Sequence, residues 1–155
     1  MIKKILAALD ASERASVVFD ASAELAGKFG ASLYVVRAIT IPPEFPPAAA
    51  TTGDDPLPAY LERVALKELS ELMSRAPHLP PYTPIVAIGQ PWRVILDTAR
   101  ELDVDLIVVG SHGFFGWDRV LGTTAGKVAN LADRNVFVVH KAPGLAVDPR
   151  NRLST

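Results

Sequence analysis

Val108-Val109-Gly110-Ser111-His112-Gly113, followed by Gly122-Thr123-Thr124, is the stretch on which the reading of the whole chain turns. A short apolar run ends there and a helical pattern starts after it. Backbone amides at a helix N-terminus lack intrahelical partners and carry the positive end of the helix dipole. Glycines let an anion approach with no Cβ in the way. A strand that hands the chain through glycines to a helix start is a place where phosphates bind, and it belongs to folds in which strands and helices alternate.

Working outward, residues 105–109 are the strand before this segment, residues 123–131 the helix after it, and residues 136–139 a last strand. The same alternation fills the upstream half. Residues 5–9 are apolar throughout, as expected of a strand covered on both faces. A helix follows, with Asp10 or Ser12 as its cap and Ala15, Val18, Phe19, Leu25, Ala26 and Phe29 at helical spacing until Gly30 stops it. Residues 32–39 are the second strand. Residues 41–58, rich in proline and then in small and polar residues, have no period and predict an irregular excursion.

Residues 61–75 carry a helical stripe of Leu61, Ala65, Leu69, Leu72 and Met73. Residues 83–88 are the third strand. Gly89 turns the chain and Pro91 opens the third helix, where its missing N–H is harmless, with Ile95, Leu96, Ala99 and Leu102 facing inward. The pattern predicts one doubly wound α/β domain, a mostly parallel sheet with helices on both faces. Ligands in such sheets sit beyond the carboxyl ends of the strands, where the winding reverses. If the first and fourth strands are neighbours, Asp10 and the glycine segment line one crevice.

Composition narrows the classes. The 155 residues suit a single domain with a continuous core. An apolar fraction of 49% and a net charge of −1 argue against disorder and against broad attraction to nucleic acid or anionic membrane, so an anion site must be local. The chain has no cysteine, which excludes disulfides, thiolate catalysis and cysteine-ligated zinc and suits a reducing compartment. Residues 1–9 imitate a secretory leader, with Ala21-Ser22-Ala23 resembling a cleavage site. The apolar run stops at Asp10, short of the usual ~7–15 residues, so the first-strand reading is preferred. No apolar run approaches the ~18 residues of a membrane span. The expectation is a cytoplasmic protein with no nucleic-acid and no membrane partner.

Several site chemistries fail on spacing. The first βα turn, Leu9-Asp10-Ala11-Ser12-Glu13, has no glycine and so lacks the dinucleotide fingerprint. Gly122-Thr123-Thr124-Ala125-Gly126-Lys127-Val128 has three residues between its glycines and a valine after its lysine, which is not a Walker loop. Ser111 and His112 are adjacent at a strand end, without the G-x-S-x-G elbow of a hydrolase. His78, His112 and His140 are scattered without metal-ligand spacing. His112 reads either as a turn residue or as a ligand contact, and Asp10 either as a cap alone or as a cap that also faces a ligand.

Together these residues resemble the universal stress protein family, over nearly the whole chain to about Lys141. Family members that bind ATP show Gly, two residues, Gly, nine residues, then Gly-Ser or Gly-Thr, between a hydrophobic strand and a helix. Gly110, Ser111, His112 and Gly113 fit the first half and Gly122-Thr123 the second, with eight residues, 114–121, where the family has nine. The opening Lys3-Lys4-Ile5-Leu6-Ala7-Ala8-Leu9-Asp10-Ala11-Ser12-Glu13 is similar to the family's first strand and its acidic residue.

The resemblance implies a family domain over residues 1–141 with a tail at 142–155. It implies an adenine nucleotide alpha hydrolase-like fold whose five-stranded parallel sheet has the order 3-2-1-4-5. The nucleotide is ATP, or AMP or ADP, in the crevice between strands one and four. Ala8 and Asp10 then lie beside base and ribose, Ala38 approaches the adenine, and Val109 and Gly110 border the ribose. Gly113, Gly122, Thr123 and Thr124 serve the phosphates, with His112 as a further contact. Magnesium carried by the nucleotide would sit near Asp10.

The apolar last strand, Val136, Phe137, Val138 and Val139, is an edge open to pairing, and the resemblance implies a homodimer through it. The leading function is a stress-response sensor or regulator whose nucleotide occupancy alters the dimer. One alternative is a slow ATPase or autophosphorylating enzyme with Ser111, Thr123 or Thr124 as acceptor; another is a chaperone-like dimer that binds no nucleotide. Arg119 and Lys127 read either as phosphate partners or as solvated residues. Phe114, Phe115 and Trp117 read either as packing beneath their loop or as a hydrophobic contact surface.

Overall fold

The computed structural model describes residues 1–41, 51–52, 55–74, 81–111 and 123–140. Strands β1 (Lys4–Ala8), β2 (Ser32–Ile39), β3 (Tyr82–Ile88), β4 (Leu106–Gly110) and β5 (Asn135–Val139) form one sheet. All neighbours are parallel and the order is β3-β2-β1-β4-β5. This is the predicted 3-2-1-4-5 arrangement. The helices between them are α1 (Ala15–Phe29), α2 (Leu57–Ser74), α3 (Pro91–Glu101) and α4 (Thr123–Leu131).

Side-chain alternation along each strand builds two cores. Ile5, Ala7, Leu33, Val35, Leu106 and Val108 point to one face, where α1 contributes Val18, Phe19, Ala23 and Ala26 and α2 contributes Leu69 and Met73. Leu6, Val36, Ile107 and Val109 point to the other, against Ile95, Leu96 and Ala99 of α3 and Ala125 and Val128 of α4. Burial on both faces explains why β1 and β4 are apolar at every central position. Among the described residues Phe19 is the largest fully buried side chain, and its ring meets the Tyr82 ring edge-on at 6.1 Å between centroids.

Three local expectations are corrected. The first helix starts at Ala15 with Arg14 as its N-cap residue and no side-chain cap bond, so neither Asp10 nor Ser12 is its N-cap. Both are used one turn earlier, as described below. Helix α2 begins at Leu57, inside what reads as irregular sequence, because Pro58 falls in its first turn, where proline loses no hydrogen bond. An antiparallel pair of two-residue strands, Thr51–Thr52 with Asp55–Pro56, lies ahead of it. The third strand begins at Tyr82 and tolerates Pro84 because, among the described residues, β3 pairs only with β2, as a sheet edge. Gly30 does end α1 as predicted, at φ 61°, with the Ala31 amide returning to the Ala26 carbonyl at 2.9 Å.

The amino edge of the sheet is fastened by side chains. The Asp105 carboxylate accepts the Lys3 and Lys4 amides at 2.7 and 2.9 Å, tying the start of β4 to the start of β1. The Arg134 guanidinium donates to the Ala99 and Val104 carbonyls at 2.7 and 2.9 Å, covering the C-terminal turn of α3.

Candidate functional site

The site is built at the opposite, carboxyl edge. From β1 the chain winds through α1 to β2 on one side, whereas β4 and β5 lie on the other, so the winding reverses between β1 and β4. Register places Ala8 opposite Val36 on one side and Val109 on the other. Beyond the strands the ladder continues by single bonds: the Leu9 amide donates to the Val36 carbonyl at 2.9 Å and the Ser111 amide to the Val139 carbonyl at 2.8 Å. The Gly89 amide donates to the Ile39 carbonyl at 2.9 Å, closing the edge between β2 and β3.

Alternation decides which side chains share this edge. Ala8 packs with the core of the α3 and α4 face, and so does Val109. Ala38 is two and four residues on from Val36 and Tyr34 of that same core, so it shares their face. Three of the expected contact residues thus lie on one face of the sheet at its carboxyl end. Ala8 and Ala38 are only partly buried, and their small side chains leave room above the strand ends.

Asp10 follows immediately and is exposed. Its Oδ1 accepts both the Ser12 amide at 2.9 Å and the Ser12 hydroxyl at 2.6 Å. The Ser12 Oγ in turn accepts the Arg14 amide at 3.2 Å. This Asx-type turn is the physical reason for an acidic residue here. It fixes the carboxylate at the mouth of the β1–α1 connection.

Gly110 has a packing role besides the one its motif suggests. Its position along β4 matches Leu106 and Val108, which face α1. A Cβ placed on Gly110 would stand 2.9 Å from Val18 Cγ2, closer than carbon atoms tolerate. Glycine at this position lets α1 seat against the end of β4, on the face away from Ala8 and Val109.

Helix α4 begins at Thr123, and the short link from Leu131 to Asn135 returns the chain to the amino edge, since β5 is parallel to β4. The helix therefore runs antiparallel to the strands, with Thr123 and Thr124 at the carboxyl edge. Ala125 and Val128 anchor it to the core that holds Val109. Its first amides are presented where an anion would meet the positive end of the dipole. His112, Gly113 and Gly122 lie outside the described residues, as do Phe114, Phe115, Trp117, Arg119 and the tail. Among the described residues no group of three or more metal-ligating side chains converges, and no helix is long and apolar enough to cross a membrane.

One residue at this edge is missed by sequence reasoning. Trp92, in the first turn of α3, packs partly buried on the same core as Ala8. Lys127 Nζ and Arg93 Cζ each lie 5.4 Å from its ring centroid. The Pro91-Trp92 pair after Gly89 marks a helix start, but nothing local signals that the ring meets a lysine 35 positions on.

Comparison with known proteins follows the same lines. The sequence model of the universal stress protein family matches residues 1–140. Universal stress protein A homolog 1 of Coxiella burnetii is 32% identical over 140 residues, covering 88% of this chain and 95% of its own. A universal stress protein solved in complex with cAMP superposes with a TM-score of 0.68 at 20% identity, over 90% of this chain and 97% of its own. The universal stress protein of Archaeoglobus fulgidus solved in complex with dAMP gives a TM-score of 0.58 at 22% identity, over 89% and 97%.

Proposed function

The chain belongs to the universal stress protein family, and from that premise we propose that it binds an adenine nucleotide, ATP foremost, at the carboxyl edge between β1 and β4. The observation that carries this is the shared face of Ala8, Ala38 and Val109 beside the start of α4. Small side chains there admit a flat base and a ribose. Asp10, held by Ser12, is placed to accept a ribose hydroxyl, with magnesium, if the nucleotide brings it, on the same side. Thr123 and Thr124 offer hydroxyls and amides to the phosphates, together with Gly113, Gly122 and His112 from the connecting segment. Solved relatives carrying cAMP and dAMP support an adenine ligand of this kind.

The molecule then works as a stress-response regulator whose occupied and empty forms differ in the β4–α4 region, next to β5. Residues Val136 to Val139 form an edge strand with Phe137 45% exposed, which supports a homodimer paired through that edge. Mass spectrometry of ligand released from heat-denatured purified protein tests the reading. It should yield ATP, ADP or AMP, and light scattering of the same sample should give twice the chain mass. Purified protein that carries no nucleotide and binds none on titration sinks the proposal; ATP consumed within minutes would make the protein a catalyst instead.

A further inference from the structure

We propose that Arg93 and Lys127, each in cation–π contact with Trp92, form a cationic subsite that reads the charge of the bound nucleotide and makes this chain prefer a polyphosphate to a monophosphate. This rests on the nucleotide reading above and adds residues from α3 and from the second turn of α4. Each cation lies 5.4 Å from the same indole centroid, so the two are separated by no more than twice that distance. Among the described residues neither is ion-paired with a carboxylate, although Lys28, Arg37, Lys67, Arg100 and Arg134 all are. Two like charges brought to one ring repel each other, and an anion between them removes that cost.

Their placement is set by topology. Pro91 opens α3 three residues after β3 ends, so Trp92 and Arg93 lie at the carboxyl edge. Lys127 is four residues beyond Thr123 and three beyond Thr124, on the same side of α4 and one turn inward. Trp92 packs on the core that also receives Ala8 and Val109, on the crevice face of the sheet. The indole is the positioning residue: its ring lies along apolar surface while its π-face holds both cations. Arg93 offers a planar fork to two phosphate oxygens and Lys127 a point charge. A β- or γ-phosphate adds the negative charge that this pair lacks, whereas a single α-phosphate is served at the start of α4.

Titrations of ATP and AMP against the wild type, Arg93→Gln, Lys127→Gln and the double variant test it. Both side chains are solvent-exposed, and the thermal midpoint of each variant checks the fold. In the double variant ATP should bind about tenfold or more weakly, the size of one lost charge-assisted contact, while AMP binds as before. Equal weakening of ATP and AMP, or no change in either, overturns the subsite and leaves the nucleotide reading standing. A wild-type protein that binds neither ATP nor AMP removes both.

Discussion

Gly110 shows how a residue in a motif can also be required by packing. In sequence it opens a phosphate-type glycine run; in the fold its absent side chain makes room for Val18 of α1. Gly110→Ala should therefore destabilise the protein by about 1–3 kcal/mol, the usual cost of forcing a methyl into a packed site. Adding Val18→Ala should recover part of that loss. Chemical denaturation of the three variants checks it, and a Gly110→Ala protein as stable as the wild type would contradict the packing account. Asp10 teaches the complementary lesson. A cap was legible at Asp10 and Ser12 because both types favour helix starts, but the bonds close a turn upstream and leave Arg14 as the N-cap residue. Side-chain type announces a local bond, and only the backbone path says which amide receives it.

Among elements, β1 and β4 flank the proposed site, and the Asp105 clamp adds to their backbone ladder at the far end. The Lys3 and Lys4 amides hold the Asp105 carboxyl below the ordinary aspartate range. A carboxylate whose folded pKa is depressed stabilises the fold fully above its unfolded value, about 3.9, and loses that contribution as pH falls through the folded value. Asp105→Asn should thus be less stable than the wild type at neutral pH, with the gap closing below about pH 4. A gap independent of pH would mean that the charge is not what the clamp uses. The two helix layers and the span of each strand to within a residue or two were legible, because short apolar runs alternate with 3.6-residue stripes, whereas the order of the strands came only from the family resemblance. The start of α2 was not: Leu57 and Pro58 follow proline-rich sequence and look like its end. Nor was the Trp92–Lys127 contact, which depends on α3 and α4 packing side by side.

For the molecule as a whole, the two edges of the sheet divide the labour. Carboxylate and guanidinium clamps gather at the amino edge, while small residues, a helix start and two cations over one indole ring gather at the carboxyl edge. Sequence resemblance gave the crevice its expected residues, and the fold adds that Ala8, Ala38 and Val109 share a face which Gly110 does not. The central claim is the location of the nucleotide on that face, and amide chemical-shift mapping during an ATP titration tests it most directly. Shifts should concentrate at Leu9, Asp10, Ala38, Val109 to Ser111 and Thr123 to Ala125, with Lys4, Asp105 and Asn135 at the amino edge unmoved. Saturating ATP that leaves the carboxyl-edge amides in place, or that moves those at the amino edge instead, would contradict the account.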